Sequence, residues 1–339
     1  MPRYSTFQPL LGLTIGDPAG IGPEIIAKAV THEEIRATCR PVIIGETGII
    51  RRAVRLCRLD LHVRSISSPA EITGDPGCLE VVDLKNIDTT SCPSGVLAPH
   101  CGRAAVEYLN KAIDLALARE LDGIVTGPLN KEAMGQAGFP YDGQTELLAE
   151  RTRIKDYAML LVVGRMRVLH VSTHTSLRTA CDKAKRGRIL TVIRLAHRVL
   201  FDLGSRQKRI GVAGLNPHAG ENGRFGREEI EEIAPAVEAA KAEGIRVSGP
   251  FPPDTLFHRH RLGEFDALVA MYHDQGHIPL KLVGFHRGVN VTVGLPIIRT
   301  SVDHGTAFDI AGTGTANPHS LVEAILLATR FAHRRRRGE

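Results

Sequence analysis

The chain has 339 residues, of which 43% are hydrophobic and 24% are charged, a composition that is typical of globular proteins and excludes disordered and fibrous classes. It contains no Trp, and its formal net charge of +6 comes largely from the arginines among its last ten residues, so the rest of the chain is close to neutral. Composition therefore gives no support to a nucleic-acid-binding face, and no apolar run is long enough to span a membrane.

In the first half of the chain, short apolar runs alternate with helical periodicity, which predicts an α/β fold with a mainly parallel sheet. Strands are predicted at 11–15, 41–44 and 123–126, and Val106, Leu109, Ile113 and Leu117 share one face of a helix. The loop 16–22 joins the first strand to a helix that begins near Pro23. This glycine-rich loop either cradles an anion at the helix start or forms a tight turn, and by itself the sequence favours the turn.

The second half of the chain repeats this alternation. Strands are predicted at 159–163, 168–173, 210–215, 267–272 and 289–293, and helices at 189–203 and 321–332. Ile230, Ile233 and Val237 mark a further helix, in which Pro235 must either lie in the first turn or produce a kink. The arginines at the C-terminus are predicted to be a solvated, frayed end.

Three histidines follow three of these predicted strands: His174, His218 and His273. Ligands of open α/β sheets bind outside the carboxyl ends of the strands. A single loop histidine is usually structural, but three at equivalent places favour a metal site with open coordination positions. Asp274, beside His273, is either a carboxylate that orients the imidazole or an ordinary turn residue.

Three cationic side chains lie in or beside apolar, glycine-rich segments: Lys281, Arg287 and Arg299. They suit a phosphate or carboxylate ligand, or else ordinary ion pairs. The six cysteines show no CxxC pair and no metal-like spacing, which predicts free thiols in a reducing cytosol. The N-terminus lacks the long apolar segment of a signal peptide, so we expect a cytoplasmic protein.

Five motifs are spread over nearly the whole chain. They read GDPAGIGPE at 16–24, TGPLNK at 126–131, GLNPHAGE at 214–221, MYHDQG at 271–276 and RTSVDHGT at 299–306. Together they resemble the 4-hydroxythreonine-4-phosphate dehydrogenase family, PdxA. The segment 303–318 is also similar to the nucleotide loop of isopropylmalate and isocitrate dehydrogenases.

The resemblance implies an α/β fold of two α/β/α domains around a cleft, like that of isocitrate and isopropylmalate dehydrogenases. One domain, 1–132 with 284–339, would be built from both chain ends and carry the nucleotide loop. The other, 133–283, would bind metal and substrate and form the dimer contact. The resemblance also implies a homodimer with active sites at the subunit interface.

The resemblance also assigns roles to individual residues. It implies one divalent metal ion per subunit (Zn, Mg, Co or Mn) on His174, His218 and His273, and substrate contacts at Gln144, Thr145, Lys281, Asn290 and Arg299. NAD or NADP would lie against the loop 305–317, at Gly305, Asp309 and Asn317. Lys131 and Asp254 are both candidates for the general acid/base, and the sequence does not choose between them.

The family oxidises a secondary alcohol β to a carboxylate, and the resulting keto acid loses CO2. Two departures bear on the substrate: Gln144 and His277 stand where biosynthetic members usually have His and an apolar residue. The resemblance also reaches a catabolic branch that acts on D-threonate or D-erythronate 4-phosphate. Because a neutral amide suits a polyol chain, we expect one of these two acids as substrate, giving dihydroxyacetone phosphate and CO2. The alternative is 4-hydroxy-L-threonine 4-phosphate, giving 3-amino-2-oxopropyl phosphate in pyridoxal 5'-phosphate biosynthesis.

Two other classes of enzyme are compatible with parts of the sequence. A metal-dependent hydrolase could use the three histidines alone and would turn over without a nicotinamide nucleotide. An acyltransferase of the phosphotransacetylase kind shares the broad fold but has no need of three histidines, so their presence counts against it.

Overall fold

The computed structural model describes residues 7–338. The strands are β1 (Leu10–Thr14), β2 (Arg40–Gly45), β3 (His62–Ile66), β4 (Cys78–Asp83), β5 (Gly123–Thr126), β6 (Ala158–Val163), β7 (Met166–His170), β8 (Ile210–Ala213), β9 (Val247–Phe251), β10 (Ala267–Ala270), β11 (Val289–Val293) and β12 (Arg299–Val302). The helices are α1 (Gly22–Ala29), α2 (Glu33–Thr38), α3 (Thr47–Leu56), α4 (Pro99–Leu117), α5 (Lys131–Gln136), α6 (Gln144–Arg151), α7 (Leu177–Lys183), α8 (Arg186–Asp202), α9 (Ala234–Ala242), α10 (Pro253–Arg261), α11 (His273–Gly284) and α12 (His319–Gly338). None of the helices within these residues combines the length and apolarity that a membrane span requires.

The residues divide into two compact units, which we call the terminal unit (7–153 and 295–338) and the central unit (154–294). In the terminal unit the strand order is β3-β4-β2-β1-β5-β12, and every neighbouring pair is parallel. Helix α4 packs on β1, β2 and β5, and α12 packs on β5 and β12. The wholly buried β5 and β12 are typical of a parallel sheet that is covered on its faces.

The central unit has the strand order β11-β6-β7-β10-β8-β9. Strands β7, β10, β8 and β9 are parallel neighbours, whereas β11 and β6, and β6 and β7, pair antiparallel. Only Gly164 and Arg165 separate β6 from β7, and a connection this short can join only antiparallel strands. The mainly parallel sheet predicted from the sequence is therefore uniform in the terminal unit and mixed in the central one.

The unit boundaries differ from the domain boundaries expected at 132/133 and 283/284. Helices α5 and α6 stay with the terminal unit because α5 packs tightly on α4: a Cβ at Gly102 would lie 2.3 Å from the backbone of Ala133. In addition, Arg151 of α6 donates a 2.6 Å hydrogen bond to Asn110 of α4. Residues 289–293 stay with the central unit because β11 pairs with β6 along its whole length.

Several predicted strands run further than the observed ones. The predictions at 168–173, 210–215 and 267–272 extend two or three residues past the ends of β7, β8 and β10. Buried apolar residues continue beyond β7 and β10, at Val171 and Met271, although these residues no longer belong to the strands. Pro235 lies in the first turn of α9, directly after a short π-helical segment, as one of the two predicted alternatives required.

The arginine-rich C-terminus is helical. Helix α12 continues through the arginines to Gly338 instead of fraying, although their side chains are exposed as predicted. The guanidinium of Arg336 lies 3.9 Å from the ring centroid of Phe7, and Arg335 donates to the carbonyl oxygen of Pro296 at 3.2 Å. These contacts give the last turns partners that the run of like charges did not predict.

Candidate active site

Arg299, the first residue of β12, is the most deeply buried cation among the predicted site residues, with 3% of its surface exposed. Its Nη2 donates to Thr126 Oγ1 at 2.9 Å and to Gln144 Oε1 at 3.1 Å. Burial lowers the pKa of Arg299 to about 10, and the carboxylate of Glu146 opposes that shift. The guanidinium therefore remains charged at neutral pH and is fixed by two neutral acceptors.

Gln144 begins α6 and connects two parts of the terminal unit. Its Oε1 accepts the hydrogen bond from Arg299, while its Nε2 donates to the carbonyl oxygen of Gly127 at 2.9 Å. Both ends of the amide are thus engaged within the protein. The residue predicted to contact substrate is, in this structure, a partner of the residue predicted to bind the anion.

Lys131 and Thr145 lie beside this pair. Lys131 starts α5, is exposed, and its Nζ comes within 4.0 Å of the point where a Cβ of Gly143 would sit. Thr145 is half-buried in the first turn of α6. Lys131 follows β5 and Arg299 is hydrogen-bonded to the last residue of β5. The structure therefore gathers these residues around the carboxyl end of β5, the expected place for a ligand.

The loop 303–318 follows β12, and helix α1 holds its second half. Glu24 Oε1 accepts from the backbone N–H of Gly312 at 2.6 Å, and Lys28 Nζ donates to the carbonyl oxygens of Gly314 and Ala316 at 2.6 and 2.7 Å. The predicted nucleotide contacts are exposed along this loop: Gly305, Asp309 and Asn317. No atom lies within 4 Å of a Cβ placed on Gly305, which leaves the backbone there open to approach.

The glycine-rich loop 16–22 is a tight turn, not an anion cradle. Its residues are buried, and the N–H groups of Asp17, Gly20 and Ile21 donate to protein carbonyl oxygens at 2.9–3.0 Å. Gly16 has φ +68°, and a Cβ there would lie 2.2 Å from the Pro128 carbonyl oxygen, so only glycine fits. The amides that would bind a phosphate are already used.

Asp17 is the one acidic side chain of this turn, and it is completely buried. Its Oδ1 accepts from the backbone N–H of Ala19 at 2.9 Å, while its Oδ2 has no hydrogen-bond partner within residues 7–338. Burial raises the pKa of Asp17 to about 6, with the bond from Ala19 opposing the shift. A carboxyl group in this state disfavours ionisation in the folded protein.

In the central unit, two of the three predicted metal ligands lie together. The strands that precede the three histidines, β7, β10 and β8, are parallel neighbours. The ring centroids of His174 and His273 are 5.8 Å apart, and both residues line a cavity of about 350 Å³ with Asp274. The Nδ1 of His273 lies 2.6 Å from Asp274 Oδ1, an arrangement that leaves Nε2 as the ring nitrogen for a ligand.

His218 lies on a separately anchored loop. Residues 218–222 all have positive φ, and the loop begins where the N–H groups of Leu215 and Asn216 donate to the buried carboxylate of Glu229 at 2.7 and 2.8 Å. The ring centroid of His218 lies 6.4 Å from that of Phe225. Across the part of the chain that the structure describes, no three His, Cys, Asp or Glu side chains are grouped closely enough to hold a metal ion.

Behind His273 lies a stack of two further histidines. The His277 ring is stacked on that of His273, with centroids 3.5 Å apart and planes 11° apart, and its Nδ1 lies 2.9 Å from the His273 carbonyl oxygen. His170 lies beyond it, at 4.7 Å. Burial lowers the pKa of His277 to about 4 and that of His170 to about 3, so both are neutral at pH 7.

Sequence reasoning singled out His277 but missed His170. As the last residue of an apolar strand, His170 looks like any other core position, and no spacing distinguishes it. Only the tight approach of α11 reveals its place, since a Cβ on Gly276 would lie 2.2 Å from His170 Nε2.

The other predicted residues of the central unit are more scattered. Lys281 is half-buried on α11, one turn beyond His277, with Nζ 5.5 Å from the Phe285 ring centroid. The Oδ1 of Asn290, on β11, is buried and lacks a hydrogen-bond partner among the described residues, as a ligand contact would.

Asp254 is exposed in the first turn of α10 and does not line the cavity of His174 and His273. Arg287 is exposed just after α11.

Comparisons with known proteins identify the relatives of this chain. The family described as pyridoxal phosphate biosynthetic protein PdxA matches residues 37–328. A D-threonate 4-phosphate dehydrogenase from Cupriavidus necator is 47% identical over 98% of this chain and 99% of its own, and one from Pectobacterium atrosepticum is 48% identical over 95% and 99%. The crystal structure of a 4-hydroxythreonine-4-phosphate dehydrogenase from Klebsiella pneumoniae superposes with a TM-score of 0.88 at 47% identity, covering 96% of this chain and 100% of that one.

Proposed function

The chain belongs to the PdxA family and is a dehydrogenase, and from that premise we propose that it oxidises D-threonate 4-phosphate or D-erythronate 4-phosphate with NAD or NADP. The 3-keto acid formed would lose CO2 and give dihydroxyacetone phosphate. The observation that carries the proposal is the identity of 47–48% to two D-threonate 4-phosphate dehydrogenases over almost the whole length of both chains. We place the reaction in the cytoplasm.

We assign capture of the anionic substrate groups to Arg299 and Lys281. Arg299 is desolvated and already oriented by Thr126 and Gln144, so it spends little conformational entropy when an anion binds. Asn290 contributes an unpaired amide oxygen that suits a hydroxyl donor. In the terminal unit we also assign Thr145 and Gln144 to the substrate, Gln144 chiefly by holding Arg299 in place.

Two of the three predicted ligands in the central unit lie close enough together to bind the same divalent metal ion. His174 and His273 share one cavity, and Asp274 orients the His273 ring. We propose His218, from the loop after the neighbouring strand, as the third ligand. An ion bound there would supply Lewis-acid stabilisation of negative charge on the substrate.

A proton must leave the substrate alcohol during oxidation, and a proton must return to carbon after decarboxylation. Lys131 and Asp254 remain the two candidates for this general acid/base. Lys131 lies beside the Gln144 helix and Asp254 at the start of α10. Replacing each residue separately and recording the pH dependence of kcat/KM distinguishes them, because only the residue that transfers the proton will remove a limb of the profile.

The proposed nucleotide site is the exposed side of the loop 303–318, and the proposed assembly is a homodimer. Helix α11 leaves Ile278 and Leu282 exposed by 57% and 83%, and Phe285, directly after it, is exposed by 68%, which suits a subunit contact. Light scattering should give about twice the 36.8 kDa chain mass. A fully active monomer would contradict the dimer.

The alternative substrate is 4-hydroxy-L-threonine 4-phosphate, which is favoured by the similarity to the 4-hydroxythreonine-4-phosphate dehydrogenase from Klebsiella pneumoniae. The test is nucleotide reduction by the metal-loaded protein with each of the three phosphorylated acids and with NAD and NADP separately. We expect at least a tenfold preference in kcat/KM for an aldonate phosphate, on the scale that unpaired polar groups can enforce. A tenfold preference for the amino-acid phosphate would establish the alternative, and turnover without nucleotide would support a hydrolase.

A further inference from the structure

Two cysteines that play no part in the proposed reaction are in contact in the terminal unit. The Sγ atoms of Cys92 and Cys101 lie 2.8 Å apart, and both residues are completely buried. Both are thiols in this structure. A disulfide requires about 2.05 Å between the sulfur atoms, so a movement of less than about 1 Å would bring the pair to bonding distance.

The two thiols are chemically unequal. The hydrogen bond with Cys101 lowers the pKa of the Cys92 thiol, and the nearby guanidinium of Arg52 lowers it further. The same hydrogen bond and burial raise the pKa of Cys101. The thiolate is the nucleophile in thiol oxidation, and the Arg52 guanidinium, which donates to the Cys92 carbonyl oxygen at 2.7 Å, places a positive charge beside Cys92. We therefore assign Cys92 as the attacking sulfur and Cys101 as the second, resolving one.

The two residues also differ in how far they can move. Cys101 is fixed in the first turn of α4, whereas Cys92 lies on the irregular segment between the short turn Thr89–Ser91 and that helix. Its neighbours Ser91 and Pro93 are exposed, so the buried Cys92 lies on a segment that runs along the surface. Local opening of such a segment is enough to admit a molecule the size of water.

The segment 92–95 packs against the loops that surround the proposed nucleotide site. The N–H of Gly95 donates to the Ala19 carbonyl oxygen at 2.8 Å, and Arg52 donates to the Cys92 carbonyl oxygen at 2.7 Å. A Cβ on Gly312 would lie 2.7 Å from Ser94 Cβ. A covalent bond at Cys92 therefore constrains a segment that is in contact with the loop 303–318.

We propose that Cys92 and Cys101 are a reversible oxidation site, at which hydrogen peroxide converts the dithiol to a disulfide. The Cys92 thiolate attacks one peroxide oxygen, the O–O bond breaks, and the other oxygen leaves as hydroxide and is protonated to water. Cys101 then attacks the sulfur of the Cys92 sulfenic acid, the S–O bond breaks, and the oxygen leaves as a second water with the Cys101 proton. The two cysteines lose two electrons and peroxide is reduced to two waters.

The test uses the intact protein and does not depend on its substrate. Cys92 and Cys101 lie in one tryptic peptide, 86–103, which contains no internal Lys or Arg. After brief treatment of the folded protein with hydrogen peroxide and alkylation, that peptide should be lighter than the reduced peptide by two hydrogen atoms and should carry no alkyl group. Dithiothreitol should restore two alkylation sites.

Cys39 is the matched control, because it is equally buried and burial raises its pKa to about 11. Cys39→Ala should form the 92–101 bond as the wild type does, while Cys92→Ser and Cys101→Ser should not. The oxidised wild type should unfold at a higher temperature than the reduced protein, a shift that both serine variants lack. A peptide 86–103 that stays fully alkylated, or that closes only in urea, would overturn the proposal, and the wild-type measurement decides this even if a serine variant fails to fold.

Discussion

The Arg299 site of the terminal unit and the histidine site of the central unit are organised in opposite ways. Arg299 is buried with its hydrogen-bond partners in place, whereas His174 and His273 are paired at an open cavity with His218 outside their group. A buried charge without partners destabilises the fold, so its surroundings must be complete before any ligand arrives. Imidazoles at an open cavity carry no such requirement, and the proposed ion could complete their arrangement.

The largest expected effect tests whether the histidine site binds a divalent metal ion that activity requires. His174→Ala and His273→Ala should each lower kcat/KM by about 10³-fold or more with the fold retained, because a metal ligand is lost. Elemental analysis should find one divalent ion per subunit in the wild type. His258→Ala, on the exposed side of α10, is the control and should stay active. Full activity in excess chelator would show that the reaction needs no metal ion, and the contrast drawn between the two units would then be wrong.

The next effect tests whether preorganisation of the terminal unit has a stability cost. The folded pKa of Asp17 is about 6, against 3.8 for the free side chain. Folding therefore takes up a proton between these values, and stability falls as pH rises from about 4 to 6 and is level above. Asp17→Asn removes this penalty, which amounts to about 3 kcal/mol at pH 7.5.

Urea unfolding of the wild type and of Asp17→Asn at pH 4 and at pH 7.5 checks this prediction. The variant should gain stability at pH 7.5 and little at pH 4. Equal effects at the two pH values would mean that Asp17 is not the buried carboxyl that titrates.

Arg299→Lys tests whether the fork of the guanidinium matters as well as its charge. A lysine retains the charge but has its three N–H donors on a single nitrogen, which cannot match the positions of Thr126, Gln144 and an anion as a planar guanidinium does. We expect a loss of about 2 kcal/mol in transition-state binding, or about 30-fold in kcat/KM. Wild-type kcat/KM in this variant would show that the site is less organised than its hydrogen bonds indicate.

Gln144→His gives the smallest effect and the most specific one. A neutral imidazole can accept from Arg299 as the amide does, but an imidazolium has no acceptor and would face a buried cation. The variant should therefore resemble the wild type near pH 8 and lose about tenfold more kcat/KM than the wild type below about pH 6. Gln136→His, on the exposed face of α5, is the matched control.

The same variant tests the role of Gln144 in specificity. If the ratio of kcat/KM between an aldonate phosphate and 4-hydroxy-L-threonine 4-phosphate is unchanged in Gln144→His, Gln144 positions Arg299 and does not select the substrate. A shifted ratio would show direct contact with the substrate.

The local sequence pattern was enough to predict where the strands and helices lie, but not the residues at which they end. The predicted strands at 123–126 and 289–293 coincide with β5 and β11 because glycine or a change of polarity marks each end. Strand β8 ends early because a carboxylate 14 residues further along, that of Glu229, takes the N–H of Leu215. No window of neighbouring residues contains that information.

The same distinction holds for the site. Placing histidines at strand ends needs only local pattern, but the pairing of His174 with His273 also needs β7 and β10 to be neighbours in the sheet. The bond between Gln144 and Arg299 joins residues 155 apart in sequence, and the stacking of His277 on His273 depends on rotamers inside α11. These contacts decide what Gln144 and His277 do, and they arise only when the units have folded.

Helix α1 makes the loop 303–318 unusually open to change. Glu24 and Lys28 hold it through the main-chain groups of Gly312, Gly314 and Ala316. Its backbone course therefore does not depend on the identity of exposed side chains such as Asp309. If residues of the proposed nucleotide site are exchanged at these positions, we expect the preference between NAD and NADP to change with little loss of stability, because the main-chain contacts to α1 stay in place.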